Sequence, residues 1–145
     1  MKKQALKRPS TRKSWQERRD IDKKPVIKVL EKRFADMPVG AKMVVITPQI
    51  LNTWIHKIKK GQATTINALR EKIAKAYKVD CTCPVSTGIF LRIVVEAAYE
   101  EWQDGKPLSK IAPFWRIIDE EMPIAKKITF DPTFITKQRK KEKIF

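Results

Sequence analysis

Ser86-Thr87-Gly88-Ile89-Phe90-Leu91-Arg92-Ile93-Val94-Val95-Glu96-Ala97-Ala98 is the stretch on which the fold turns. The pairs Ile89/Phe90, Ile93/Val94 and Ala97/Ala98 recur every four residues, the strongest helical period in the chain. Gln103-Asp104-Gly105-Lys106-Pro107 then ends the helix with turn chemistry. Its start carries Ser86, Thr87, Gly88 and Arg92, and its end carries Glu96, Glu100 and Glu101. Three acids cannot lie along phosphates without repulsion, so only the first turns can face a nucleic acid. Two readings stand: a recognition helix, or an ordinary amphipathic core helix with an exposed acidic end.

Upstream, a second helix starts after Thr64 or Thr65, with Ile66, Leu69, Ile73 and Tyr77 as its buried stripe. The break from Lys78 to Val85 is longer than the ~3–4 residues of a simple helix-turn-helix connection. Earlier still, Thr47 is an N-cap and Pro48 takes the first helical position, where its missing N–H costs nothing. Ile50, Leu51, Trp54, Ile55 and Ile58 form the apolar face of that helix, Lys57, Lys59 and Lys60 lie in its last turn, and Gly61 closes it. Met43-Val44-Val45-Ile46 reads as a strand, while the mixed segment from Val26 to Phe34 has no clear type. Downstream, Ile117-Ile118, the polar Asp119-Glu120-Glu121 and Ile128-Thr129-Phe130 read as a two-stranded wing. The expected fold is mainly α with a small β wing, in winged helix-turn-helix order.

The charge is uneven. The 145 residues carry 32 Lys+Arg against 16 Asp+Glu, a formal +16. Residues 1–24 hold ten basic and three acidic residues, and residues 126–145 hold seven and two. The middle, 25–125, keeps only +4. This partition suggests a basic flexible arm at 1–24, a folded domain at 25–125 and a basic tail at 126–145. Such ends either grip phosphate or only solubilise the chain. A polyanionic partner is expected, with DNA first. A hydrophobic share of 42% is enough for a core and excludes wholesale disorder. There is no apolar run of ~18 residues for a membrane span, and no apolar stretch follows the basic first residues as in a secretory signal. Two cysteines, Cys81 and Cys83, cannot make a disulfide framework and fit a reduced, cytoplasmic setting; a monomer is expected. One Cys-x-Cys and one histidine fall short of a metal set, so neither metal nor cofactor is expected.

The run from Thr47 to Ile118, about half the chain, resembles the C-terminal, DNA-binding domain of the methylated-DNA–protein-cysteine methyltransferases. Thr47-Pro48, Trp54, Ile58, Gly61, Thr65 and Leu69 resemble that family's opening helix, its Ile-x-x-Gly-x-x-x-Thr link and its next helix. Ile111-Ala112-Pro113-Phe114-Trp115-Arg116-Ile117-Ile118 looks like its Ile-Pro-Cys-His-Arg-Val-Val segment. The block Cys83-Pro84-Val85-Ser86-Thr87-Gly88-Ile89-Phe90 departs from the parent pattern and is similar to a bacterial branch that lacks the acceptor cysteine. The family moves an alkyl group from guanine onto a thiolate activated by histidine. Phe114 stands where that cysteine would be and Trp115 where the histidine would be. A phenyl ring cannot accept the alkyl group, and an indole cannot serve as the base.

The resemblance therefore implies an alkyltransferase-like protein that binds alkylated DNA, flips the nucleotide and flags it to an excision-repair protein. It places Thr65, Asn67, Ser86, Thr87, Gly88 and Arg92 on DNA, and Pro113, Phe114, Trp115 and Arg116 around the flipped base. Asn67 lies near the family's nucleotide-swinging tyrosine, and Gly88 near its intercalating arginine, with Arg92 one turn later. Glu120-Glu121-Met122-Pro123 replaces the family's glycine-rich segment. Phe114 and Trp115 either stack on a base or simply fill the vacated cavity. Two alternatives stay open: an active alkyltransferase using Cys83 or Cys81, and a general nucleic-acid-binding protein without lesion specificity.

Overall fold

Helices and a small sheet share one core in the computed structural model, which describes residues 13–35 and 37–145. The elements are α1 (Trp15–Arg19), β1 (Val26–Val29), β2 (Lys42–Val45), α2 (Pro48–His56), α3 (Ile66–Ala76), β3 (Cys81–Thr82), α4 (Pro84–Gln103) and α5 (Thr133–Lys141). Three 3-10 turns, Leu108–Lys110, Phe114–Arg116 and Pro123–Lys126, join α4 to α5. A helix-rich domain with a small sheet is therefore present.

Local chemistry accounts for the helix starts. Thr47 accepts a hydrogen bond from the Ile50 N–H, Thr65 accepts one from the Ala68 N–H, and Pro48 and Pro84 open α2 and α4. α2 ends at His56, a turn before the expected close, and Gly61 lies beyond it at φ +81°. The left-handed turn there aims the Gly61 N–H at Glu142.

The sheet order is β1-β2-β3. β1 runs antiparallel to β2, with Ile27 opposite Val44, and β3 runs parallel to β2, with Cys81 opposite Met43. β3 occupies the long connection between α3 and α4, which explains its length. The two-stranded wing expected from Ile117-Ile118 and Ile128-Thr129-Phe130 does not form. Ile117 and Ile118 follow a 3-10 turn and are sealed in the core, and no strand forms at 128–130. The sheet instead uses the Val26–Val29 segment that sequence left untyped.

α4 crosses the centre of the molecule. Leu91, Val94, Val95 and Ala98 pack with Leu51 and Ile55 of α2, Leu69 and Ile73 of α3, and Ile111, Phe114 and Ile117. Burying a large aliphatic or aromatic side chain contributes about 1.5–3 kcal/mol, so this cluster carries the fold. A smaller cluster of Met37, Ala41, Met43 and Cys83 lies under the hairpin.

Both expected arms need correction where they are described. Residues 13–24 include α1, which packs on α4 and buries Arg19. Residues 1–12 lie outside the described residues. The 126–145 tail contains α5, and its Phe130, Ile135 and Ile144 are buried in the fold. The folded unit therefore extends past both expected boundaries.

Candidate nucleic-acid interface

The opening turns of α4 form one wall of an open recess of about 580 Å³. Val85 and Ile89 project there, each 58% exposed, although both are apolar. Gly88 lies between them, and a Cβ added at Gly88 would meet nothing within 4 Å. Across the recess stand Trp15 and Arg18 of α1, and Lys127 closes the rim. The guanidinium carbons of Arg18 and Arg92 lie 4.7 and 5.3 Å from the Trp15 ring centroid. These are cation–π distances, so one indole orders two cations.

The acids of α4 are not at a wet end. Glu96 is fully buried and accepts from the Thr129 N–H and, at 2.7 Å, from the Thr129 hydroxyl. Its pKa is raised: burial is the main cause, opposed by the Thr129 donors and by Arg92, whose Nε lies 3.6 Å away. Glu100 accepts from the backbone N–H groups of Trp15 and Gln16 at the start of α1. Glu101 holds Arg19 Nη1 at 2.5 Å and Lys106 Nζ at 2.6 Å. The acids of α4 therefore dock neighbouring segments and leave the opening turns without exposed negative charge from this helix.

The other expected contacts scatter. Thr65 is exposed, but its hydroxyl caps α3. Asn67 is exposed and accepts from Arg70 Nη1 at 3.1 Å, while Arg70 also donates to the Thr82 carbonyl. Ser86 is half-buried and donates to Cys83 Sγ. Thr87 is fully buried and donates to the Cys83 carbonyl at 2.6 Å, so it cannot reach DNA. Of the six expected DNA contacts, the recess gathers Gly88 and Arg92.

Of the four residues expected around a flipped base, Phe114 is enclosed, while Pro113, Trp115 and Arg116 line a recess of about 340 Å³ with His56, Lys60 and Glu142. Phe114 is 0% exposed, with ring centroids 5.3 Å from Trp115 and 5.8 Å from both Phe130 and Phe134. Pro113 is buried beside it. Trp115 donates Nε1–H to Glu142 Oε2 at 2.6 Å, and Arg116 grips both Glu142 oxygens at 2.8 and 3.0 Å. Arg116 also donates to the Ile58 carbonyl. Burial works against ionising Glu142, yet donors from Arg116, Gly61 and Trp115 hold its pKa at about 2. The Phe-Trp-Arg motif is thus a lock for the end of α5, and Phe114 is packed among aromatic rings rather than lining that recess.

Cys83 is buried among Met37, Ala41 and Met43, and Cys81 is half-buried. His56 sits elsewhere, lining a groove with Arg19, Glu101 and Lys106. Burial first, then Lys106 and Arg19, lowers the His56 pKa against the pull of Glu101. No Cys–His pair is assembled among these residues. Among the described residues, no group of three or more His, Cys, Asp or Glu side chains could hold a metal, and no helix is long and apolar enough to cross a membrane.

Trp15, Arg18, Val85, Ile89 and Lys127 were not among the sequence candidates. Val85 and Ile89 stand one turn apart, but neither their exposure nor their pairing with α1 is visible in the sequence. No family model, curated protein or solved structure matches the chain.

Proposed function

We propose that the protein is a non-catalytic module that binds duplex DNA through the opening turns of α4. The observation that carries this reading is the contrast on that helix. Its exposed start is ringed by Arg18, Arg92 and Lys127, while Glu96, Glu100 and Glu101 are buried on internal donors. A surface so arranged attracts a polyanion, and a formal charge of +16 adds a long-range field. Val85 and Ile89 offer exposed apolar contact beside those cations. A winged helix-turn-helix arrangement belongs to this reading. α3 and α4 form the helix pair, and the β1–β2 hairpin, with exposed Lys28, Lys32 and Arg33, serves as the wing. A cytoplasmic protein lying on nucleoid DNA follows from it.

Burial of Phe114 favours general duplex binding over sensing of alkylated guanine, because a flipped base would have to displace a packed ring. The buried sulfur of Cys83, without a histidine beside it, gives no support to alkyl transfer. The test is a salt-series titration comparing alkylated duplex, plain duplex and RNA. Similar affinity for the two DNA duplexes, falling steeply with salt, is the expected result. A tenfold or greater preference for the alkylated duplex would restore lesion sensing, and no affinity for either duplex would end the DNA-binding reading.

A further inference from the structure

The recess between α1 and α4 combines features that a solvated charge cluster does not need. Its cations come from three separate parts of the chain: Arg18 on α1, Arg92 on α4, and Lys127 just past the 3-10 turn Pro123–Lys126. Each part is tied to α4. Glu100 holds the start of α1, and Glu96 holds Thr129, two residues beyond Lys127. The indole of Trp15 orders the two guanidinium groups, restricting them before any ligand arrives. Between the cations, Val85 and Ile89 make an apolar wall that stays exposed. Glu96 offsets part of the Arg92 charge but is itself buried and bonded to Thr129. Glu17, the acid of α1, accepts from the Ser14 N–H in a capping box.

We infer that this recess is a clamp for the deoxyribose-phosphate backbone, with the phosphate on Arg18, Arg92 and Lys127 and the sugar against Val85 and Ile89. The inference rests on the DNA-binding reading and adds to it that α1 makes direct contact. Arginine suits the role because its planar fork presents two donors to phosphate oxygens. Phosphate contacts fix register and orientation on the duplex without reading sequence. The clamp would therefore set how the opening turns of α4 enter the groove.

The experiment compares salt slopes of plain-duplex binding for the full chain and two double variants. Arg18→Gln with Lys127→Gln removes two clamp charges, and Lys59→Gln with Lys60→Gln removes two charges from the α2–α3 link. An Arg18→Lys variant tests rescue by a charge without the fork. The clamp predicts that the first pair flattens the slope by about 0.9 for each phosphate that is no longer neutralised. It also predicts roughly tenfold weaker binding near physiological salt, partial rescue by Arg18→Lys, and little change for the Lys59/Lys60 pair. Equal losses for the two pairs would overturn the clamp, since net charge alone would then explain binding. So would an unchanged slope in the first pair. In either case wild-type binding survives, whereas a wild-type protein that binds no duplex removes the DNA-binding reading itself. Unaltered thermal unfolding of the first pair checks that α1 remains docked.

Discussion

Between Pro84 and Arg92, α4 presents Val85, Gly88 and Ile89 to solvent beside a rim of cations. From Val94 to Glu101 the same helix is almost wholly enclosed, and its three glutamates point at internal donors. Amphipathic helices usually separate apolar and polar residues around the axis. Here the separation runs along the axis, with apolar side chains exposed at one end and carboxylates buried at the other. Buried carboxylates need partners, because desolvating an unpaired charge costs several kcal/mol. Two of these glutamates find partners in α1, and the third finds Thr129. The acidic half of the helix therefore gathers distant segments of the chain, and one consequence is that Arg18 and Lys127 stand next to the open half.

The largest expected effect lies in the enclosed part. Phe114→Ala should destabilise by about 3–5 kcal/mol, since it opens a cavity among Trp115, Phe130 and Phe134. Thermal unfolding should shift down by roughly 10 °C or more, while any variant that remains folded keeps its duplex affinity. Weakened affinity in a well-folded Phe114 variant would mean that the ring touches DNA.

Next is the lock at Glu142. Glu142→Ala strands the Arg116 guanidinium and should cost about 3 kcal/mol, read by denaturant unfolding. The same carboxylate has a folded pKa of about 2 against an ordinary 4.5. A depressed carboxylate pKa stabilises fully above the ordinary value and loses that contribution as pH falls through the folded one. Amides of α5 should therefore lose exchange protection between about pH 4.5 and 2, and Glu142→Gln should remove that dependence. Unchanged acid behaviour in the variant would show that other carboxylates control the transition.

A smaller effect tests the link between the two halves. Arg19→Ala leaves Glu101 with Lys106 alone and should loosen α1 by about 1–3 kcal/mol. Hydrogen exchange would report α1 opening, and duplex affinity should fall although Arg19 is buried away from DNA. The smallest expected change is at Gly88. Replacing a helical glycine by alanine should stabilise by about 0.5–1 kcal/mol, because the added methyl meets nothing. If backbone approaches DNA closely there, the same variant binds more weakly even though it melts higher. Unaltered binding would leave Gly88 outside the contact.

Much of the central fold could be read directly. The cap at Thr47, the stripe Leu69/Ile73 and the four-residue repeat of α4 match regular helices, and of the two starts open for α3 the structure uses Thr65. The hairpin was harder because β1 is exposed throughout and shows no alternation between buried and exposed residues. Ile117-Ile118 resembles a strand in composition, yet the backbone around Phe114–Arg116 winds into a 3-10 turn and buries the pair. The charge count misled at both ends. A few residues, Arg19 at one end and Phe130, Ile135 and Ile144 at the other, dock segments whose composition is mainly basic. Nothing local reveals that Glu100 will meet Gln16, 84 residues away. Arg92 and Gly88 could be named from one helix, whereas Trp15, Arg18 and Lys127 join them only through tertiary packing.

Hydrogen exchange of the full chain with and without plain duplex DNA addresses the central claim most directly. Protection should appear in residues 14–19, 84–93 and 124–128, with little change at 111–118. Protection centred on 111–118, or spread evenly over the basic surface without favouring α1 and the start of α4, would contradict this account.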